Sequence, residues 1–233
     1  MLTSGGFVVS TGRIQTRELA VTAFAVLLSI LAAIAIGAMS PGPSFVLVSR
    51  ISVASSRSHG LASALGMGVG GAFFAALAVL GLTALLLKFE WLYVVLKLLG
   101  GAYLVYLAVK IWRGASEPLA VPGPSGEGRG LSVRRAFLVG LFTQLSNPKT
   151  SIVYASIFAA LMPQSPPLWL LLALPPMLFC VEAGWYTIVA LAFSGTRARL
   201  VYMRLKRWID RGAGAVIGAL GVKLMAEAIK AKA

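Results

Sequence analysis

A single asparagine occurs in this 233-residue chain, Asn147, in the run Ser146-Asn147-Pro148-Lys149. The run lies inside a hydrophobic segment, after Arg135 and before Pro163. Proline removes a backbone hydrogen bond, and the carbonyl it frees finds no water in lipid. Lysine brings a charge and three donors that need partners. An ionisable side chain inside a membrane segment marks a functional site by default. Asn147 can donate and accept. Lys149 can hold a carboxylate or pair with an acid. The structural alternative is a lysine bonded to the carbonyls released by Pro41.

A second interruption stands earlier, Ser40-Pro41-Gly42-Pro43-Ser44. Gly42 can take unusual dihedrals and the two prolines donate nothing, so a regular helix cannot continue through it. The expectation is an unwound turn with a half-helix starting after Pro43, capped with help from Ser44. A helix N-terminus offers N–H groups and partial positive charge to an anion such as a substrate carboxylate. The alternative is a packed proline kink. Two broken helices at corresponding places in two halves point to a transporter's binding site.

Glu182 is the third candidate, placed mid-span in Cys180-Val181-Glu182-Ala183-Gly184. Burial without a partner disfavours a charged carboxylate. Glu182 can pair with Lys149, bind a substrate's amino group, or carry a coupling proton. A static Glu182–Lys149 pair that holds the bundle together is the structural alternative.

The elements that position these residues follow from composition. The chain is 58% hydrophobic and 12% charged, with mean hydropathy +0.87. A soluble domain carries about 25% charged residues. Residues 19–49 and 60–87 contain no charge, and each exceeds the ~20 residues that cross a bilayer. Such long apolar runs require helices rather than barrel strands. Six spans are expected, at about 20–49, 60–87, 91–111, 136–162, 168–193 and 212–230. Lys97 and Lys223, in the third and sixth, are expected to snorkel towards an interface.

The chain divides into a polar lead (1–18), a first three-helix repeat (19–113), a flexible Pro/Gly-rich linker (114–133) and a second three-helix repeat (134–233). Three spans per half make the repeat inverted, the architecture of alternating access around a midplane site. Ser40–Ser44 is laid on Ser146–Thr150 in this reading. Lysine and arginine concentrate after spans one, three and five, among them Arg50, Arg57, Lys110, Arg113, Arg134, Arg135, Arg204, Lys206 and Arg207. The positive-inside rule then puts both termini outside the cytoplasm.

The net charge of +14 is therefore read as membrane topology, and no nucleic acid is expected. Cys180 is the only cysteine and His59 the only histidine, so a dithiol or a His/Cys metal site is excluded from the expectations. Glycines in spans two, three and six are read as packing surfaces. Trp91, Trp112, Trp169 and Trp208 are read as interfacial anchors.

Taken together, these residues resemble the LysE/RhtB family of amino-acid exporters. The resemblance is carried by Pro41-Gly42-Pro43, Gly60, Ala64-Leu65-Gly66, the stretch from Leu96 to Leu107, Phe137, Gly140 and Asn147-Pro148-Lys149. It departs at Ser44, where the family usually has asparagine. The resemblance implies a six-span carrier in the cell membrane that expels amino acids or similar small zwitterions, driven by the proton motive force. Pro41, Gly42, Pro43, Ser44, Asn147, Pro148 and Lys149 would form its substrate site. Glu182 would serve proton coupling or an ion pair. The expected partners are an amino-acid-like substrate, protons and the lipid bilayer, with a homo-oligomer also compatible; no cofactor, metal or enzymatic activity is expected. The alternative is an inorganic-ion exporter on a related bundle.

Overall fold

Two proline motifs interrupt helices near the middle of their paths. The computed structural model describes residues 5–86, 90–117 and 131–230. Helix α1 (Gly5–Met39) stops ahead of Ser40-Pro41-Gly42, and α2 (Pro43–Ala54) begins beyond it. Helix α5 (Val133–Leu145) likewise stops at Ser146-Asn147, and α6 (Pro148–Leu161) follows. Each second half opens with proline in its first turn, where the missing N–H costs nothing. The remaining helices are α3 (Arg57–Leu86), α4 (Glu90–Gly114), α7 (Leu168–Ser194) and α8 (Thr196–Lys230). Among the described residues there is no strand.

Four of these helices carry described stretches apolar and long enough to cross a bilayer: Val21–Met39, Arg57–Gly81, Leu168–Ser194 and Leu200–Lys230. Their outward faces are apolar, with Phe73, Leu77, Leu172 and Ile188 exposed and Leu80 at 70%. That pattern suits lipid as the surrounding solvent.

Two boundaries differ from the sequence reading. The sequence puts the sixth span at residues 212–230, whereas α8 starts at Thr196. The basic run 197–211 is therefore helical, because arginine and lysine are good helix formers and charge alone does not end a helix. The described part of the lead, from Gly5, is continuous with α1. Residues 1–4, residues 118–130 of the expected linker and the side chain of Trp91 lie outside the described residues. Of the other tryptophans, Trp112, Trp169 and Trp208 are all exposed.

Helix α3 packs along α7 and α5, and α4 packs along α8. Glycine permits the closest approaches. A Cβ on Gly101 would lie 2.8 Å from the Gly221 carbonyl oxygen, and one on Gly221 would lie 2.6 Å from that of Gly101. At the far end of the same pair, Lys97 and Lys223 share Glu227 at 3.6 and 3.8 Å. An acid one turn beyond Lys223 thus gives both lysines a partner that snorkelling did not anticipate.

The core falls into two apolar clusters. One gathers Ile30, Ile34, Leu104, Tyr154, Ile157, Leu174 and Leu178. The other gathers Phe45, Met67, Tyr186, Val189 and Phe193. Along α7 the buried stripe runs Leu170, Leu174, Leu178, Glu182, Tyr186, Ala190. Glu182 therefore sits on the inward face, between the two clusters.

Candidate functional site

The site is built from two helix starts that meet. Gly42 is the N-cap of α2 in extended backbone, and Val46 N donates to Gly42 O at 3.0 Å. Asn147 is the N-cap of α6, and Ser151 N donates to Asn147 O at 3.2 Å. The caps pair Gly42 with Asn147 and Pro43 with Pro148, one residue away from the register read in the sequence. Asn147 Oδ1 accepts from Lys149 N at 3.0 Å, which satisfies one free N–H of the first turn.

Ser44 does not cap α2. It lies inside the first turn, and its hydroxyl reaches the other broken helix. Ser44 Oγ donates to Gln144 Oε1 at 2.6 Å and accepts from Asn147 Nδ2 at 2.9 Å. All three side chains are buried. Ser44 is a shorter group than asparagine, and Gln144 fills the space opposite it.

Lys149 reaches back to the first break. Its Nζ donates to Ser40 O at 2.8 Å and to Gly37 O at 3.3 Å. Gly37 O is the carbonyl that residue 41 would bond in a continuous helix, and Pro41 has no N–H to give it. The lysine supplies the donor that the proline withholds. A Cβ on Gly42 would stand 3.3 Å from the Lys149 side chain.

Glu182 does not meet Lys149. Among the described residues no ion pair joins them. Glu182 Oε1 instead accepts from Tyr154 Oη at 3.2 Å, and Oε2 is buried. Gln144 Nε2, also buried, lies near the Glu182 carboxylate. Gly71 makes room for this group: a Cβ there would lie 2.7 Å from Glu182 Cγ and 3.0 Å from the Tyr154 hydroxyl.

Three cavities border the meeting point: one of about 510 Å³ lies against Pro43, Phe142, Ser146, Asn147 and Pro148, and two others reach Lys149. The larger of these two, about 970 Å³, is lined by Pro41, Gly42, Pro43, Asn147, Pro148 and Lys149. Its lining also includes Lys110 and Arg113 near the end of α4, Glu117 just beyond it, and Lys206 and Asp210 of α8. The smaller, about 20 Å³, is bounded by Ser44, Tyr154, Glu182 and Tyr186. Ser40, Gly42, Asn147 and Lys149 border both. The sequence-derived residues therefore form one constellation, with Ser44 and Glu182 on its closed side. Such a site can bind a carboxylate at Lys149 and the α6 N-terminus from the larger cavity.

Gln144, Tyr154 and the Lys206–Asp210 pair were missed in the sequence. Gln144, the one side-chain amide of α5, lies three residues before Asn147. Tyr154 lies one turn after Thr150, on the α6 face that carries the site. Both spacings were available as signals.

The pattern of the LysE type translocator family matches residues 35–228. The threonine efflux protein of Escherichia coli (strain K12) is 33% identical over 187 residues, covering 80% of this chain and 91% of that protein. An uncharacterized membrane protein of the same strain, YahN, is 31% identical over 192 residues, covering 82% and 84%. One from Haemophilus influenzae is 29% identical over 190 residues, covering 81% and 90%. No solved structure matches the chain at a significant level. The match spans both proline motifs and the residues that meet between them, and the chain belongs to the LysE type translocator family.

Proposed function

We propose that this membrane transporter exports amino acids or similar small zwitterions across the cytoplasmic membrane, driven by the proton motive force. The observation that carries the reading is Lys149. It stands at the start of α6, borders a cavity of about 970 Å³, and holds only backbone carbonyls. A substrate carboxylate can exchange for those carbonyls without breaking an ion pair. The threonine efflux relatives support a small amino acid as cargo.

The helices act as six spans in two inverted halves, α1/α2 and α5/α6 each counting as one broken span. The pairings α3 with α7 and α4 with α8 support this, because equivalent elements of an inverted repeat pack across its axis. The larger cavity reaches the basic ends Lys110, Arg113 and Lys206, which favours a cytoplasmic opening and both termini outside. Glu182 serves as the coupling-proton site at Oε2, on the closed side of Asn147. Rocking of the halves would exchange the closed side for the open one.

The test is counterflow in proteoliposomes with a panel of labelled amino acids. Exchange of one or a few small amino acids is expected. A correctly folded protein that exchanges none of them contradicts the proposal.

A further inference from the structure

The exporter reading leaves a zwitterion's positive end without an acceptor in the open cavity. Glu182 lies behind Asn147, bordering the small cavity only. Among the described residues, the lining of the large cavity offers Lys110, Arg113, Lys149 and Lys206 against two acids, Glu117 and Asp210. Asp210 is almost wholly buried on α8, although it borders the cavity.

Its two oxygens differ. Oδ2 accepts from Lys206 Nζ at 2.9 Å. Lys206 also donates to Gly114 O at 3.2 Å and Ala115 O at 3.5 Å, so it is fixed at the end of α4. Oδ1 is buried and has no hydrogen-bond partner. An unsatisfied buried carboxylate oxygen is expensive and calls for a donor. Lys206 is held by three acceptors and need not move when a donor arrives.

We propose that Asp210 is the ammonium subsite of the open cavity, taking the substrate's amino group on Oδ1 while Lys149 takes its carboxylate. The inference rests on the exporter reading and adds a specificity residue that the two proline motifs do not contain. Asp210 then lets a cavity rich in cations prefer a zwitterion over a simple anion.

The experiment measures inhibition of threonine counterflow by unlabelled threonine and by 2,3-dihydroxybutanoate, which carries a hydroxyl in place of the ammonium. Wild-type protein is expected to prefer threonine by about tenfold or more, the worth of a charge-assisted hydrogen bond. Asp210→Asn is expected to weaken threonine by that factor and leave the hydroxy acid within about twofold, erasing the preference. Should Asp210→Asn fail to fold, Lys206→Met with Asp210→Asn removes both charges and avoids an unpaired buried ammonium. It is expected to show the same erased preference. Equal weakening of both compounds, or an unchanged preference in either variant, overturns the subsite while leaving the exporter reading in place. Exchange of no amino acid by wild-type protein overturns that reading and the subsite with it.

Discussion

Lys149 Nζ donates to the carbonyl oxygen of Gly37, the acceptor orphaned by Pro41, at 3.3 Å. One broken helix thereby repairs the other across the site. The bond explains how a lysine is tolerated deep in an apolar bundle. It also makes Lys149 responsive, since a substrate carboxylate competes with two backbone carbonyls for the same ammonium.

Lys149→Ala is expected to reduce transport by at least about tenfold to a hundredfold, from hydrogen bonds to a charged group worth about 1.5–3 kcal/mol. Membrane insertion and detergent-extracted yield should remain measurable. Lys149→Arg tests geometry, because a planar guanidinium on the same short approach cannot reproduce a point charge. Initial rates in proteoliposomes report both.

Glu182→Gln is expected to separate movement from coupling. Counterflow of substrate should persist, whereas accumulation driven by an imposed proton gradient should vanish. Retained gradient-driven accumulation would show that Glu182 Oε2 does not carry the coupling proton.

Gly71→Leu is expected to lower the melting temperature and stop transport. Its side chain would collide with Glu182 and Tyr154, and overpacking costs about 1–3 kcal/mol. Gly81→Ala is the control, since nothing lies within 4 Å of a Cβ there. Thermal melting in detergent should separate the two.

Ser44→Ala removes the hydroxyl between Gln144 and Asn147 and strands two buried amide atoms. Each stranded group costs about 1–3 kcal/mol. The variant is expected to melt lower and to show a raised KM for export, read from a concentration series in the same liposomes.

The two breaks were legible because proline, glycine and asparagine announce themselves by type. Lys149 and Glu182 were legible because charge is rare in an apolar span. The partners were harder. Ser44 and Gln144 lie 100 residues apart in the chain, and only the fold makes them neighbours. The start of α8 was hidden by its own arginines, which read as a loop yet continue a helix. Lys206 and Asp210 lie one turn apart in that run, and a charged pair is expected on a solvated face. Burial of the pair depends on the end of α4, whose Gly114 and Ala115 carbonyls receive Lys206.

The most direct test of the central claim is proton-gradient-driven accumulation of labelled threonine and other small amino acids in proteoliposomes, for wild-type protein and Lys149→Ala. The account predicts accumulation by the wild type that collapses with an uncoupler and falls by at least about tenfold in the variant. Equal accumulation by the two proteins would contradict the assignment of the site to the meeting point of the broken helices.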